Sequence, residues 1–170
     1  MIRFAHIIFV LFLLPTSASA TSLAQGRDCV EAAFARVESG ELTIAQAVGA
    51  YLSFRSVAVF AASRTQFSDT TDWDSDTARM LVNTTENFFN QRLLSQRGRI
   101  DPNTIVIARA YSDNTMVAVP VNYRDTSGIA GRATIWVVVS QDRCWAMDLE
   151  IDNVRLSFGV RQVFRALPIP

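Results

Sequence analysis

Apolar and polar residues alternate through the last third of the chain. Three runs follow this pattern most clearly, at residues 115–124, 131–139 and 144–152, and residues 104–111 form a less regular fourth run. Because neighbouring side chains on a strand point to opposite faces of a sheet, each run predicts a half-buried β-strand. The connectors are short and rich in Asp, Asn, Ser and Gly, which indicates tight turns between antiparallel strands.

The alternation also predicts which side chains share the buried face of the sheet. These residues are Val117, Val119, Val121, Ile135, Val137, Trp145, Met147 and Leu149. Asp148 and Glu150 fall on the opposite face, where we expect them to point into solvent or to pair with Arg132 on the next strand.

Residues 28–97 instead place apolar side chains at helical spacing. Gly40 suits the end of the first predicted helix, and Thr43 suits the N-cap of the second. The aromatic residues of the third and fourth predicted helices include Phe60, Phe67 and Phe88. Helices followed by strands indicate an α+β fold. We expect N-terminal helices packed on one face of a curved four-stranded antiparallel sheet, followed by a short C-terminal helix.

The first twenty residues have the composition of a secretory signal peptide. Arg3 supplies a basic start, residues 4–14 are almost continuously apolar, and small residues occupy positions 18–20. The apolar core is shorter than a membrane-spanning helix requires. We therefore expect cleavage after Ala20, with cleavage after Ala24 as the alternative, export to the periplasm, and a single α+β domain over residues 21–170.

The charge balance argues against a general nucleic-acid-binding role. The chain carries 16 basic and 16 acidic side chains, a single histidine and no lysine. Without the predicted signal peptide, which contains Arg3 and His6, the formal charge is near −1 and no histidine remains. The expected mature chain therefore lacks the basic field of a nucleic-acid-binding protein. It also lacks a histidine base, a histidine metal ligand and a Schiff-base lysine.

The loop before the fourth predicted helix has the spacing of the start of a calcium loop. Asp72, Asp74 and Asp76 alternate there, but position six of the loop is Thr77 instead of Gly, and position twelve is Asn83 instead of Glu. We therefore interpret the loop as an acidic helix N-terminus. The sequence predicts no metal site and no cofactor.

The expected mature chain has two cysteines, Cys29 and Cys144. In an oxidising compartment we expect them to form a disulfide that ties the first helix to the last strand. A redox-active pair is the alternative interpretation, but the two cysteines lack the Cys-x-x-Cys spacing that such pairs use.

The last predicted strand and the helix after it carry a distinctive set of residues. They are Trp145 just ahead of an Asp-apolar-x-apolar segment that begins at Asp148, Val154 at the corner that follows, and Arg161 and Phe164 in an Arg-x-x-Phe pattern. This arrangement resembles the end of the MlaC family, also called the toluene-tolerance or auxiliary transport component family. Residues 54–67 and 77–94 are similar to the family's two central helices. Asn153 stands where the family usually has Gly, and Asn also adopts left-handed backbone, so a divergent and short member retains the corner.

The resemblance implies a periplasmic carrier that shuttles phospholipid, or a related lipid, between outer- and inner-membrane transport machinery. Its implied partners are an inner-membrane ABC transporter complex and an outer-membrane lipoprotein. An acyl chain of about sixteen carbons costs on the order of 12 kcal/mol to expose to water, so a carrier needs a hydrophobic sleeve. The side chains expected to bind the lipid are Phe60, Phe67, Phe88, Val117, Val119, Val121, Ile135, Val137, Trp145, Met147 and Leu149.

Two other functions remain open from the residues alone. The same apolar side chains suit an ordinary packed core, in which case the chain is a non-catalytic periplasmic accessory or docking domain. A small cone-shaped enzyme would instead use Asp148 or Glu150 as a base, with Tyr123 as a hydrogen-bond donor. Because both carboxylates are predicted to point away from the apolar face, we predict that the chain is not an enzyme.

Overall fold

The structure of the protein is a computed structural model that describes residues 22–69, 72–92, 100–140 and 143–168. The predicted signal peptide lies outside these residues. The described part of the chain forms five helices and six strands. The helices are α1 (Leu23–Glu38), α2 (Ile44–Tyr51), α3 (Phe54–Ala62), α4 (Asp76–Arg92) and α5 (Leu156–Ala166). The strands are β1 (Ile100–Ile107), β2 (Tyr111–Asp113), β3 (Met116–Asp125), β4 (Ala130–Ser140), β5 (Arg143–Ile151) and β6 (Val154–Arg155). The predicted α+β order is confirmed.

Polar side chains define where α1 and α2 begin. Each helix starts with a capping box, formed by Ser22 and Gln25 in α1 and by Thr43 and Gln46 in α2. In both boxes the N-cap hydroxyl accepts a backbone N–H, and the glutamine side chain accepts the N-cap N–H in return. The prediction of Thr43 as an N-cap is confirmed.

Helix α1 ends at a glycine cap, as predicted for Gly40. This residue has φ +75°, and its N–H donates to the carbonyl of Val37 at 3.0 Å. The N–H of Leu42 donates to the carbonyl of Arg36, also at 3.0 Å. Left-handed backbone favours glycine at this position, and the tight turn brings Glu41 back against Arg36.

The strands form one open antiparallel sheet in the order β1-β3-β4-β5-β6, with β2 also paired to β3. The predicted number of four strands is wrong. Residues 104–111 do not form one strand, because β1 ends at Ile107 and β2 begins at Tyr111. Strand β6 follows β5 through a two-residue turn in which Asp152 and Asn153 have φ of 48° and 66°. The left-handed backbone expected at Asn153 is confirmed.

A β-bulge interrupts the pairing of β4 with β5. Val137 pairs with Ala146, whereas the residue before it, Trp136, pairs with Asp148. Met147 is therefore the extra residue of the bulge, and the alternation of β5 shifts by one position there.

Helices α1 and α2 pack on the sheet. Gly26 of α1 lies against Val117 of β3, so closely that a β-carbon at Gly26 would lie 2.6 Å from a Val117 methyl carbon. Helix α2 packs beside α1 and contacts β5. The disulfide between Cys29 and Cys144 is confirmed and joins α1 to β5, with Cα atoms 5.9 Å apart.

Helices α3, α4 and α5 form a second packed group next to β5. Phe54 and Phe89 join α3 to α4 in an edge-to-face contact, with ring centroids 5.3 Å apart. Phe67 and Phe164 make a similar contact at 6.2 Å. Because α4 packs mainly on α3 and α5, the expectation that all N-terminal helices lie directly on one face of the sheet is too simple.

Candidate functional site

An apolar cavity of about 60 Å³ lies between helices α1 and α2 and strands β4 and β5. Its walls are formed by Cys29, Val30, Ala33, Phe34, Ile44, Ala47, Val48, Tyr51, Leu52, Ile135, Val137, Cys144, Ala146 and Leu149. None of these lining side chains is charged, and among them only Tyr51 carries a hydroxyl group. A cavity of this composition suits a hydrocarbon group, because a polar group buried there would lose its hydrogen bonds to water.

Small side chains on three elements leave this space open. Ala33 on α1, Ala47 on α2 and Ala146 on β5 all line the cavity. Larger residues at these positions would fill the volume, since protein interiors are otherwise packed as densely as organic crystals. The Cys29–Cys144 disulfide also belongs to the wall and holds α1 and β5 together beside the cavity.

Tyr51 connects the cavity wall to a charged side chain. This half-buried residue lines the cavity, and its hydroxyl accepts a hydrogen bond from Nη1 of Arg36 at 3.4 Å. Arg36 also donates from Nε and Nη2 to Oε1 of Glu41, at 2.9 Å and 2.6 Å. A guanidinium group thus lies beside one residue of the apolar cavity wall.

Arg36 and Glu41 stabilise each other's charged form. The hydrogen bond to Glu41 is the main cause that raises the pKa of Arg36, and the hydrogen bond from Arg36 lowers the pKa of Glu41. Their side chains are 41% and 57% exposed, so water competes with this ion pair.

The structure brings three of the predicted lipid-binding residues to the cavity. Ile135 and Val137 on β4 and Leu149 on β5 all line it. All three lie on the face of the sheet that the alternation predicted. Ile135 and Leu149 are directly opposite each other in the pairing of β4 with β5.

Six other predicted residues lie away from the cavity. Val117, Val119, Val121 and Phe67 are buried in the packed core. Phe60 is half-buried in α3, and Phe88 packs over Gly159, where a β-carbon would lie 2.7 Å from its ring. The sequence identified the apolar face of β3 and β4 correctly, but its β3 residues belong to the packed core and not to the cavity wall.

The bulge moves the last two predicted residues out of the site. The prediction that Trp145 shares the apolar face with Leu149 is wrong, because the alternation shifts by one position at Met147, the extra residue of the bulge. Trp145 is 38% exposed and does not line the cavity, and Met147 does not line it either. Ala146 takes the inward position instead.

Sequence reasoning missed the helical wall of the cavity. The apolar stripe of α1 contributes Val30, Ala33 and Phe34, and that of α2 contributes Ile44, Ala47, Val48 and Tyr51. Both stripes are visible at helical spacing, and the pairing of the cysteines places α1 beside β5. Together these two signals could have pointed to α1 and α2 as the cover of the site.

Asp148, a candidate base, has a structural role. It is fully buried on the side of β5 opposite Leu149, and it neither points into solvent nor pairs with Arg132 as predicted. Its Oδ2 accepts hydrogen bonds from Arg155 Nε at 2.6 Å and from Ser157 Oγ at 2.5 Å. Its Oδ1 accepts the backbone N–H groups of Leu149 and Ser157. These contacts leave Asp148 outside the cavity and engaged in local structure.

Tyr123 and Glu150, the other two candidate catalytic groups, are also away from the cavity. The Tyr123 side chain packs on the sheet next to Asp152. Its hydroxyl donates to Oδ2 of Asp152 at 3.2 Å, and its ring covers Gly131 on β4. Partial burial, followed by the neighbouring carboxylates of Asp152 and Asp125, raises the pKa of Tyr123 to about 12. The phenol is therefore neutral at physiological pH.

Two of the residues that carry the family resemblance, Arg161 and Phe164, contribute to packing around α5. Arg161 donates from Nη2 to the carbonyl of Phe60 at 2.8 Å and from Nε to that of Ala61 at 3.2 Å, so it caps the end of α3. Burial, followed by the nearby guanidinium groups, lowers the pKa of Arg161. Phe164 is fully buried. These positions hold α5 against α3.

Side chains of the acidic loop before α4 accept backbone N–H groups at the start of the helix. Oδ1 of Asp72 accepts the N–H of Asp74 at 3.0 Å, and Oγ of Ser75 accepts the N–H of Ala78 at 3.3 Å. Asp76 lies in the first turn, as expected for an acidic helix N-terminus. No group of three or more His, Cys, Asp or Glu residues in the described part of the chain could hold a metal ion.

No protein-family model and no curated protein matches this chain. Across the residues that the structure describes, no helix combines the length and the apolar composition needed to cross a membrane.

Proposed function

We propose that this protein is a periplasmic lipid-binding carrier, related to the MlaC family, that moves phospholipid or a related lipid between outer- and inner-membrane transport machinery. The observation that carries the proposal is the cavity between α1, α2, β4 and β5, whose walls contain no charged group. An acyl chain that enters it exchanges water for apolar contacts, and each buried methylene contributes about 0.8 kcal/mol.

The size of the cavity limits how much of an acyl chain it can hold. An apolar cavity of about 150 Å³ takes up benzene, so the present volume of about 60 Å³ admits only the end of an acyl chain. Entry of a longer part of the acyl chain would require α2 to separate from β5. Helix α2 has eight residues, and the main-chain link between its end and β5 is the bridge of Leu52 with Ala146.

Features of the whole chain support export. Residues 1–20 have the pattern of a signal peptide, and the disulfide between Cys29 and Cys144 is compatible with an oxidising compartment. In the periplasm, the carrier exchanges lipid with an inner-membrane ABC transporter complex and an outer-membrane lipoprotein, as the family resemblance implies.

A non-catalytic docking domain is the second candidate. The specific observation in its favour is that Val117, Val119, Val121 and Phe67 are packed into an ordinary core. In that case the small cavity is a packing defect that stays empty, and the partner binds the outer surface of the domain.

Native mass spectrometry of protein purified from the periplasm without detergent tests the carrier proposal. We expect a mass excess over the apo protein that solvent extraction identifies as a lipid with at least one acyl chain. A clean apo mass that persists after incubation with phospholipid vesicles would contradict the carrier and favour the docking domain.

A further inference from the structure

We propose that Arg36, Tyr51 and Glu41 form a head-group site for an anionic amphiphile at the rim of the apolar cavity. In this site the guanidinium of Arg36 binds a phosphate or carboxylate head group in place of Glu41, while the acyl chain lies in the cavity. The inference rests on the proposed function, because it requires an acyl chain in that cavity.

The connection between the cavity and the charge is direct. Tyr51 belongs to the cavity wall, and its hydroxyl lies 3.4 Å from Nη1 of Arg36. A lipid whose chain passes the Tyr51 ring therefore brings its polar end next to the guanidinium. The tyrosine hydroxyl offers a further hydrogen bond to the same head group.

The donors that Arg36 would use are already directed at an oxyanion. Nε and Nη2 both donate to one carboxylate oxygen of Glu41, at 2.9 Å and 2.6 Å. This edge of a guanidinium fits phosphate and carboxylate groups equally well, since both present oxygens at the spacing of its fork. Glu41 thus holds the position that we assign to the head group.

A ligand can displace the Glu41 carboxylate from Arg36 at little cost in stability. Glu41 lies in the turn after Gly40, and its side chain is 57% exposed. Once displaced, its carboxylate is solvated by water, and exposed ion pairs of this kind contribute little to stability. The Glu41 carboxylate therefore competes with the ligand without blocking it.

Helix α1 also contains a matched pair outside the site. Arg27 donates from Nε to Glu31 at 2.6 Å, and their side chains are 50% and 43% exposed, close to the values for Arg36 and Glu41. Neither Arg27 nor Glu31 lines the cavity. Substitution of Arg27 consequently removes the same charge from the same helix without touching the proposed site.

Three ligands with the same chain test the inference by isothermal titration calorimetry: laurate, lauryl phosphate and the neutral monolaurin. In the delipidated wild-type protein, we expect both anions to bind about tenfold more tightly than monolaurin, and the difference to shrink as salt increases. Arg36→Gln should abolish the difference, Glu41→Gln should strengthen anion binding, and Arg27→Gln should change neither. Arg36→Lys should keep part of the preference, and circular dichroism shows that each variant is folded.

The outcomes separate the two proposals. Preference for only one anion that Arg36→Gln removes identifies the head group as that acid and supports the inference. Equal binding of all three ligands, or a preference that survives Arg36→Gln, overturns the head-group site and leaves the carrier standing. Absence of binding by all three ligands overturns both.

Discussion

Asp148 on strand β5 caps helix α5 through Ser157. Its two carboxylate oxygens accept the Ser157 backbone N–H at 3.1 Å and the Ser157 hydroxyl at 2.5 Å. The N-cap residue of α5, Arg155, makes no capping hydrogen bond with its own side chain, and instead its Nε donates to Asp148. A carboxylate from a neighbouring strand thus takes the place of an N-cap side chain, where negative charge also favours the helix dipole.

Substitution of this carboxylate should destabilise the fold. Asp148→Asn keeps the shape but replaces one acceptor oxygen by an NH₂ group that faces the donors of Arg155 and Ser157. We expect a loss of about 2–3 kcal/mol in the free energy of unfolding, measured by urea denaturation. Glu150→Gln, two residues along the same strand, is the control and should cost less than about 0.5 kcal/mol. Equal values for the two variants would show that the Asp148 contacts contribute little.

A larger side chain at Ala47 should displace the lipid. Ala47 is buried in the cavity wall, whereas Ala50 is exposed on the same helix. Ala47→Phe should cost about 1–3 kcal/mol by overpacking. It should also weaken lipid binding by about fourfold for each methylene that is excluded. Ala50→Phe should bind lipid as the wild type does. Normal lipid occupancy in folded Ala47→Phe protein would mean that the lipid binds elsewhere.

Loss of the disulfide should lower the melting temperature. The bond joins residues 115 positions apart, and the chain-entropy model gives about 4–5 kcal/mol for a loop of this size. We expect the Cys29→Ser, Cys144→Ser double variant, and the wild type under a reducing agent, to melt several degrees lower than the oxidised protein. Coincident melting curves would mean that the disulfide does not contribute to thermal stability.

Stability should fall at alkaline pH because of Tyr123. Its pKa is raised to about 12 in the folded protein, against about 10 in an unfolded chain. Between these values the unfolded state releases a proton that the folded state keeps. The contribution of Tyr123 is therefore complete below pH 10 and is lost as the pH rises toward 12.

The ionisation of Tyr123 can be followed directly. The difference between the ultraviolet titrations of wild type and Tyr123→Phe should have its midpoint near pH 12. The fall in unfolding free energy above pH 10 should also be smaller in Tyr123→Phe. A midpoint near 10 would mean that the phenol is solvated and not held against Asp152.

Local signals predicted the elements and their ends well. The alternation over residues 115–124 corresponds to β3 within about one residue at each end. Thr43 and Gly40 mark helix ends as predicted, because capping depends on only a few neighbouring residues. The disulfide followed from the number of cysteines and the expected compartment.

The residues that line the cavity could not all be predicted from local sequence patterns. The bulge at Met147 is a property of the pairing of β5 with β4, and alternation within β5 alone gives no sign of it. Because of the bulge, Ala146 lines the cavity in place of Trp145. The prediction for Trp145, the largest of these side chains, was therefore wrong. Alanines such as Ala47 carry little hydrophobic signal, although their small volume is what keeps the cavity open.

Lipid binding in the cavity is tested most directly by locating the acyl chain itself. Delipidated protein would be loaded with a fatty acid that carries a diazirine near the end of its chain, irradiated, digested and mapped by mass spectrometry. If the acyl chain lies in the cavity, we expect adducts on the walls contributed by α1, α2, β4 and β5, at residues such as Val48 and Ile135, and their loss in Ala47→Phe. Adducts spread over the outer surface, or confined to the exposed face around Trp145, would contradict a lipid chain in the cavity.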